Sequence, residues 1–457
     1  MKPVLVAQAL GAVLSPFHFL PYGGDPPVCI VGAGPGGLTV AHELEAKGIQ
    51  TVIFEKQELV GGKCQAHYTE HGTFHPLGAL LFTNQTYKNT LPLVLDAGVE
   101  MHPGISPQDW SRFLYGPGDQ ANQVRPEPTP NKYEMAMIVL EISRYTTYWE
   151  QNFAPKYSSI RYVNGVPDEF AVPMSEWLES NGFNALPNIM KAGMVPYGYG
   201  DINETPALYM LQYFTPEILG VFVGLTPAYI VDFYAVFAHY ARSVKGPIHL
   251  STEINEIDRS GKSPVIKYTV DGSSKTQRCA SVVLAFPPTR RSLDALNMPL
   301  TDAEHDVFSK IRTTPYWSGA VETSTEYQHT YQQNPFMQIG EPVAFLRLFE
   351  DAPIATTWLW GNIGSRDEAI KRLIDTITAV QAGANITAPD VTAEDVKALR
   401  RWSYFPHFSA EELRKDPYAA FSALQGDKNT YYTSGLNGFE TVEFSIRGAK
   451  DLVETFF

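Results

Sequence analysis

The chain has 457 residues, of which 44 % are hydrophobic and only 18 % charged, which gives material for two or three cores and excludes a disordered polymer. A net charge of −14 opposes nucleic acid and anionic headgroups as long-range partners. Three cysteines (Cys29, Cys64, Cys279) are too few for a disulfide framework and lack zinc-ligand spacing, so the fold is expected to stand on its core and to hold no metal.

Residues 1–26 read as a leader or signal peptide. Lys2 precedes an uncharged stretch from Val4 to Leu20, but Pro16 and His18 interrupt it and no clear cleavage site follows, so a secreted and a cytoplasmic location both stay open. Val28 to Val31 then reads as a buried strand, Leu38 to Ala46 as a helix stopped at Gly48, and Thr51 to Phe54 as a second buried strand ending in Glu55. Strand, glycine turn, helix and strand in one sheet imply parallel pairing and an α/β fold.

Residues 116–131 hold four prolines and no helical period, which predicts a surface loop. Tyr133 to Tyr148 and Met174 to Asn181 look helical. Ile218 to Ala241, uncharged except for Asp232, predicts a buried helix apolar all round, with a lipid tunnel or a membrane-surface segment as alternatives. Val265 to Val270, followed by Asp271-Gly272, reads as one arm of a hairpin, and Ser281 to Phe286 as another buried strand. Past the leader, no stretch reaches the roughly 18 apolar residues of a membrane span, although transient membrane contact stays open.

Gly32-Ala-Gly-Pro-Gly-Gly37 fits G-x-G-x-x-G, with a strand ending just before it, a helix beginning inside it and an acid closing the next strand. Gly32 permits the tight turn, Gly34 lets the main chain approach a pyrophosphate, and Gly37 lets helix and strand pack closely. Pro35 and Gly36 complete the turn, and the helix N-terminus offers amides and positive partial charge to a diphosphate. Glu55, followed by Lys56, is placed to accept ribose hydroxyls and to repel a 2′-phosphate. A turn serving packing alone needs no such carboxylate. Gly61-Gly62-Lys63 supplies a second close approach with a cation, which favours FAD over NAD.

Val28 to Gln65 resembles the FAD-binding start of the flavin amine oxidase and phytoene desaturase superfamily. Within that superfamily the chain is similar to the FAD-dependent polyenoic fatty acid double-bond isomerases. The likeness extends to Phe74-His-Pro-Leu-Gly-Ala79, Tyr197 to Gly200 with Pro206 to Tyr209, Trp402 to His407, Gln425 to Tyr431, and Lys450 to Val453. It implies a discontinuous Rossmann-type FAD-binding domain of residues 27–105, 241–299 and 396–457. An α+β substrate domain of residues 106–240 and 300–395, amine-oxidase-like, would complete the molecule.

The resemblance also implies noncovalent FAD, Lys63 standing where histidine-linked relatives differ. It places Gly78, Ala79 and Gly435 near the cofactor; many relatives have Gly-Glu where this chain has Gly435-Leu436. Ile254 and Ile257 are expected to flank the adenine. For substrate it implies Arg112 at a carboxylate, Phe222 as a gate there, and Tyr197, Tyr199, Tyr404 and Phe405 around a pocket. The plainer readings are a solvated Arg112, a core Phe222 and an aromatic wall. His75 and His407 read as structural histidines, and Cys64 as a small apolar contact.

Flavin N5 accepts and returns a hydride, so no catalytic dyad is required, and no hydrolase motif appears. Gly198-Tyr-Gly200 fails as a second dinucleotide fingerprint, so electrons leave to an acceptor or return to substrate. Return at another carbon moves a double bond, and isomerisation of a polyunsaturated fatty acid is the leading expectation. The alternatives are an oxidase or dehydrogenase that desaturates or cyclises a secondary metabolite, and a noncatalytic lipid-binding escort.

Overall fold

The computed structural model describes residues 25–104, 109–334 and 340–457. The leader up to residue 24 and the expected boundary at 105/106 lie outside them. Val28–Val31 and Thr51–Phe54 are strands in which every residue is buried, and Pro35–Ala46 is the helix between them. They form the centre of a five-stranded parallel sheet, in the order Ile248–His249, Thr51–Phe54, Val28–Val31, Val282–Leu284, Thr430–Tyr432. The sheet thus collects segments from the beginning, middle and end of the chain. The C-terminal helix Val442–Phe456 packs on the first helix.

The hairpin forms between Val265–Val270 and Ser273–Arg278, and Glu253–Asp258 adds a third antiparallel strand. A seven-stranded sheet runs Val396–His407, Arg312–Glu322, Ile354–Trp360, Pro342–Arg347, His329–Gln333, Ser111–Tyr115, Arg125–Pro126. All its pairings are antiparallel except that of His329–Gln333 with Ser111–Tyr115. Residues 396–407, expected with the FAD-binding segments, are therefore an edge strand of the other sheet, because they pair along Arg312–Glu322. The segment to residue 105 is also shared: Leu81–Phe82 and Met101–Pro103 both pair with Tyr229–Val231.

Lys132–Tyr148 and Met174–Ser180 are helices, as their periodicity predicts. The stretch 218–241 is not one buried helix. It is helix Pro216–Phe222, strand Tyr229–Val231 and helix Phe233–Tyr240. Gly224, with φ +75°, and Pro227 end the first helix, and the Asp232 carboxylate accepts the Ala235 amide to start the next.

The cysteines depart from expectation as well. Cys29 and Cys279 form a disulfide, because Cys29 lies on Val28–Val31 and Cys279 just before the neighbouring strand Val282–Leu284. The bridge is buried and closes a separation of 250 residues, adding a covalent tie to a fold that also has an apolar core. Cys64 is free and buried.

Candidate active site

At the carboxyl end of the central strand of the parallel sheet the chain leaves Val31 into Gly32, whose φ of +108° favours glycine. A side chain at Gly37 would meet the Gly32 carbonyl oxygen at 1.9 Å, so this glycine serves the packing of helix on strand. Gly34 is different: a Cβ there would touch only the Gly62 Cα, at 3.7 Å. The first helix has no side-chain cap, so its leading amides stay free for a ligand.

The second glycine turn is tied to the first by the Gly61 amide, which donates to the Ala33 carbonyl at 2.8 Å. Glu55 is buried below both turns. Its carboxylate accepts the Ala33 amide at 2.8 Å and the Gln57 amide at 2.9 Å, which fixes its direction. The C-terminal helix brings a second N-terminus to the same place through Thr441, Val442 and Ser445.

These elements bound one cavity of about 1070 Å³. Gly32, Gly34, Pro35, Gly36, Glu55, Lys56, Gly62, Lys63, Gly78, Ala79 and Gly435 all line it, as does Ile254. Gly37 and Gly61 stand behind the lining. Ile257 does not line the cavity: the register shift between Ile254 and Glu256 keeps both isoleucines on the buried face of the strand, opposite Tyr268 and Ile266, but Ile257 is fully enclosed in the core and only Ile254 borders the cavity.

Toward the seven-stranded sheet the lining becomes aromatic, with Tyr87, Tyr197, Tyr199, Tyr213, Trp402 and Tyr404. The Tyr199 hydroxyl donates to the Glu440 carbonyl at 3.0 Å, and the Tyr404 hydroxyl donates to Tyr199 at 3.3 Å. Burial holds Tyr199 and Tyr404 well above the ordinary phenol range. Burial also pushes Tyr197 up to about 12, with the Arg112 charge pulling the other way. All three are therefore neutral hydrogen-bonding phenols at physiological pH.

Three expected substrate residues lie one layer behind this wall. Phe222 packs edge-on against Tyr197 at 5.9 Å, and Phe405 packs against Tyr199 at 5.6 Å. Arg112 stands on Ser111–Tyr115, 3.9 Å from Glu127, and its buried Nε has no partner among the described residues.

Several lining residues carried no local signal. Glu440 forms an ion pair with Lys63 at 2.9 Å, and the Lys63 ammonium lies 5.2 Å from the Tyr404 ring centre. Gly435 makes room for it, since a Cβ there would approach Glu440 Oε2 to 2.7 Å. A carboxylate thus does reach the turn where Gly435-Leu436 departs from the expected Gly-Glu. Arg290, Arg291, Arg400 and Arg401 add cations to the rim, from segments far apart in sequence.

His75 and His407 lie outside the cavity, whereas the free thiol of Cys64 borders it. Burial lowers His75 and His407 to about 4, so both are neutral at physiological pH, and neither lines the cavity. Burial pushes the Cys64 thiol up, which leaves no thiolate to attack a cofactor ring. No group of residues suited to a metal ion occurs among the described residues.

Residues 30–96 match the family model of the NAD(P)-binding Rossmann-like domain. Over most of its length the chain is similar to the FAD-dependent oxidoreductase dpchF of Colletotrichum higginsianum, at 23 % identity over 90 % of this chain and 89 % of the relative. It is also similar to the polyenoic fatty acid isomerase of Ptilota filicina, at 22 % identity over 95 % of each chain. The chain resembles FAD-dependent oxidoreductases and fatty acid isomerases. In three dimensions it superposes on the fatty acid isomerase from P. acnes that produces CLA, with a TM-score of 0.79, 22 % identity, and coverage of 95 % of this chain and 99 % of that one. Wild-type putrescine oxidase shares the fold at a TM-score of 0.65 and 13 % identity, over 94 % and 98 % of the two chains. The fold is thus Rossmann-type α/β and amine-oxidase-like.

The residues present suit a dinucleotide at the glycine end. Two buried oxygens on the lining, Thr433 Oγ1 and Glu440 Oε2, have no hydrogen-bond partner among the described residues. A buried polar atom left alone costs about 1–3 kcal/mol, so these two await a polar ligand.

Proposed function

We propose that the chain, an FAD-dependent enzyme, moves a double bond along a long apolar carboxylic acid of the polyunsaturated fatty acid class. The observation that carries this reading is the union of both ends in one cavity: glycine turns, Glu55 and two helix N-termini at one side, neutral tyrosines at the other.

In this reading Gly32, Gly34, Pro35 and Gly36 receive the diphosphate, and Glu55 receives the ribose hydroxyls. Gly62, Lys63, Gly78, Ala79 and Gly435 complete the cradle without a covalent link. Bound FAD supplies a two-electron acceptor that can return what it takes from a C–H bond. The protein's own task is to orient the chain, exclude water and provide no competing base. Tyr197, Tyr199 and Tyr404 form an apolar wall whose hydroxyls are already engaged or held neutral, so they guide an alkene without trading protons with it. Phe222 and Phe405 fix the rings in front of them. Arg112 is the cation whose charge acts on Tyr197, and it would receive a carboxylate as Glu127 releases it.

Anaerobic incubation of the purified yellow protein with linoleic and arachidonic acids, followed by conjugated-diene absorbance, tests the reading. Dienes should accumulate without oxygen and without lasting bleaching of the flavin. Turnover that requires oxygen and yields peroxide would instead make the chain an oxidase. Arg112→Leu should raise KM for free acids and leave methyl esters nearly unaffected.

A further inference from the structure

The helix Lys132–Tyr148 has two halves of opposite character. In the second, Glu141, Ile142 and Tyr145 are buried, and the Glu141 carboxylate accepts the amides of Asn184, Ala185 and Leu186. In the first, every residue from Asn131 to Leu140 except Ile138 is exposed. Tyr133 is 75 % exposed and Leu140 53 %, with Met135, Met137 and Val139 between them. Helical spacing gathers Tyr133, Met137 and Leu140 on one face, while Lys132 and Glu134 lie at roughly 100° to either side of it.

This half is not a fraying end. Asn131 accepts the amides of Tyr133 and Glu134, and Glu134 accepts the amide of Asn131 in return, a complete capping box. Methionine, alanine and leucine are strong helix formers. The result is a capped, apolar helical face held out into solvent by a helix whose second half is anchored in the core.

We propose that this face docks on a lipid surface of low charge, with Tyr133, Met137 and Leu140 entering the boundary between headgroups and acyl chains and Lys132 and Glu134 staying at headgroup level. Two observations select lipid over a protein partner. The first is area: one face of a ten-residue helix about 15 Å long offers on the order of 200 Å², against about 800 Å² per partner in a stable protein interface. An interfacial helix needs only about 5–10 Å of depth. The second is charge. Lys132 and Glu134 cancel on this face, and the chain's −14 repels anionic headgroups, so zwitterionic lipid is the surface that fits. The inference goes beyond the reading of the cavity and does not depend on it.

The test uses the full chain with phosphatidylcholine vesicles and with mixed phosphatidylcholine–phosphatidylglycerol vesicles, separated by sedimentation. The unaltered protein should partition onto the first more than onto the second. Met137→Glu with Leu140→Glu should lower that partition at least about 10-fold. Leu95→Glu with Val163→Glu, two isolated apolar residues that are 61 % and 60 % exposed, should leave it unchanged despite adding the same charge. In Tyr133→Trp, brominated acyl chains should quench the new indole. Equal binding by both double variants overturns the proposal, and it would also reveal any docking through residues 1–24, which every variant retains. Binding to the anionic vesicles alone overturns it. So does a dimer abolished by Met137→Glu with Leu140→Glu in a protein that ignores vesicles, since a second copy would then cover the face.

Discussion

Replacing Gly34 and Gly37 one at a time by alanine separates the binding role of the glycine turn from its packing role. At Gly34 the backbone has φ −77° and ψ −179°, which alanine adopts freely, and the added methyl would meet nothing nearer than the Gly62 Cα at 3.7 Å. The protein without cofactor should lose no more than about 1 kcal/mol, the difference between glycine and alanine as a helix N-cap. The methyl does, however, occupy the cavity side of the turn, where the diphosphate proposed above would need main-chain amides. Loss of one or two charge-assisted hydrogen bonds amounts to about 3 kcal/mol, roughly a hundredfold in Kd.

At Gly37 the same methyl would lie 1.9 Å from the Gly32 carbonyl oxygen and 3.2 Å from the Ala285 Cβ. Backbone has to move, at about 3 kcal/mol, or roughly 6–12 °C in Tm for a unit of ordinary domain size. Flavin titration followed by fluorescence, beside calorimetry of the stripped protein, reads both quantities. A Gly34→Ala variant that binds FAD as tightly as the parent would refute the placement of the diphosphate. Equal melting losses in the two variants would refute the division of roles.

Three further outcomes test the frame around the site. Cys29→Ala with Cys279→Ala should lower unfolding stability by about 3–5 kcal/mol, because the bridge restrains a long loop in the unfolded chain, and reductant in denaturant should reproduce the effect on the parent. His75→Phe should flatten the acid limb of stability: burial, and then the charge of His67, hold the imidazole at about 4 in the folded state, while the unfolded chain takes a proton from about 6.5 downward. Stability is therefore lost as pH falls through that window. The variant should spare about 2–3 kcal/mol of the loss, as measured by urea unfolding at several pH values, His407 supplying the rest. Glu304→Gln should cost about 3–5 kcal/mol near neutrality by breaking the buried pair with Arg259. Burial pushes the Glu304 carboxyl up, but Arg259 and Tyr432 together hold it below its ordinary value. Its contribution is thus present above the unfolded value of about 4.3 and lost in acid, where parent and variant should converge.

What the sequence made legible followed from how local each signal is. Val28 to Glu55 could be read residue by residue because strand, turn and helix there are fixed by neighbours within one turn or one pleat. The edge strand Val396–His407 could not be assigned to its sheet, because its pairing with Arg312–Glu322 is settled by docking across the molecule. The same holds for Cys29 and Cys279, whose meeting depends on two strands becoming neighbours, for Thr433, which is brought to the cavity by the strand Thr430–Tyr432 of the parallel sheet, and for Glu440, which is brought there by the turn before the C-terminal helix. The stretch 218–241 was misread although its signals were local. Apolar faces all round suggested one helix, while Gly224 and Pro227 carried the break that the structure shows. Ile254 and Ile257 share the buried face of their strand because of the register shift between them, yet only Ile254 borders the cavity, since which part of that face is covered by core is settled by packing across the molecule.

Glu440 joins the two ends of the cavity, and this has a physical consequence. Its carboxylate faces Lys63 of the second glycine turn, while its carbonyl accepts the hydroxyl of Tyr199. The glycine turn and the tyrosine wall therefore share one residue, held at a position that only glycine at 435 leaves open. A shift of Lys63 toward a bound anion would weaken its hold on Glu440, and any movement of that residue is passed to Tyr199 and, through it, to Tyr404. The second glycine turn and the aromatic wall are in this way joined through Glu440, although their residues lie hundreds of positions apart. A cavity built so should change the environment of its tyrosines when it fills at the glycine end. Two independent pockets placed side by side would not.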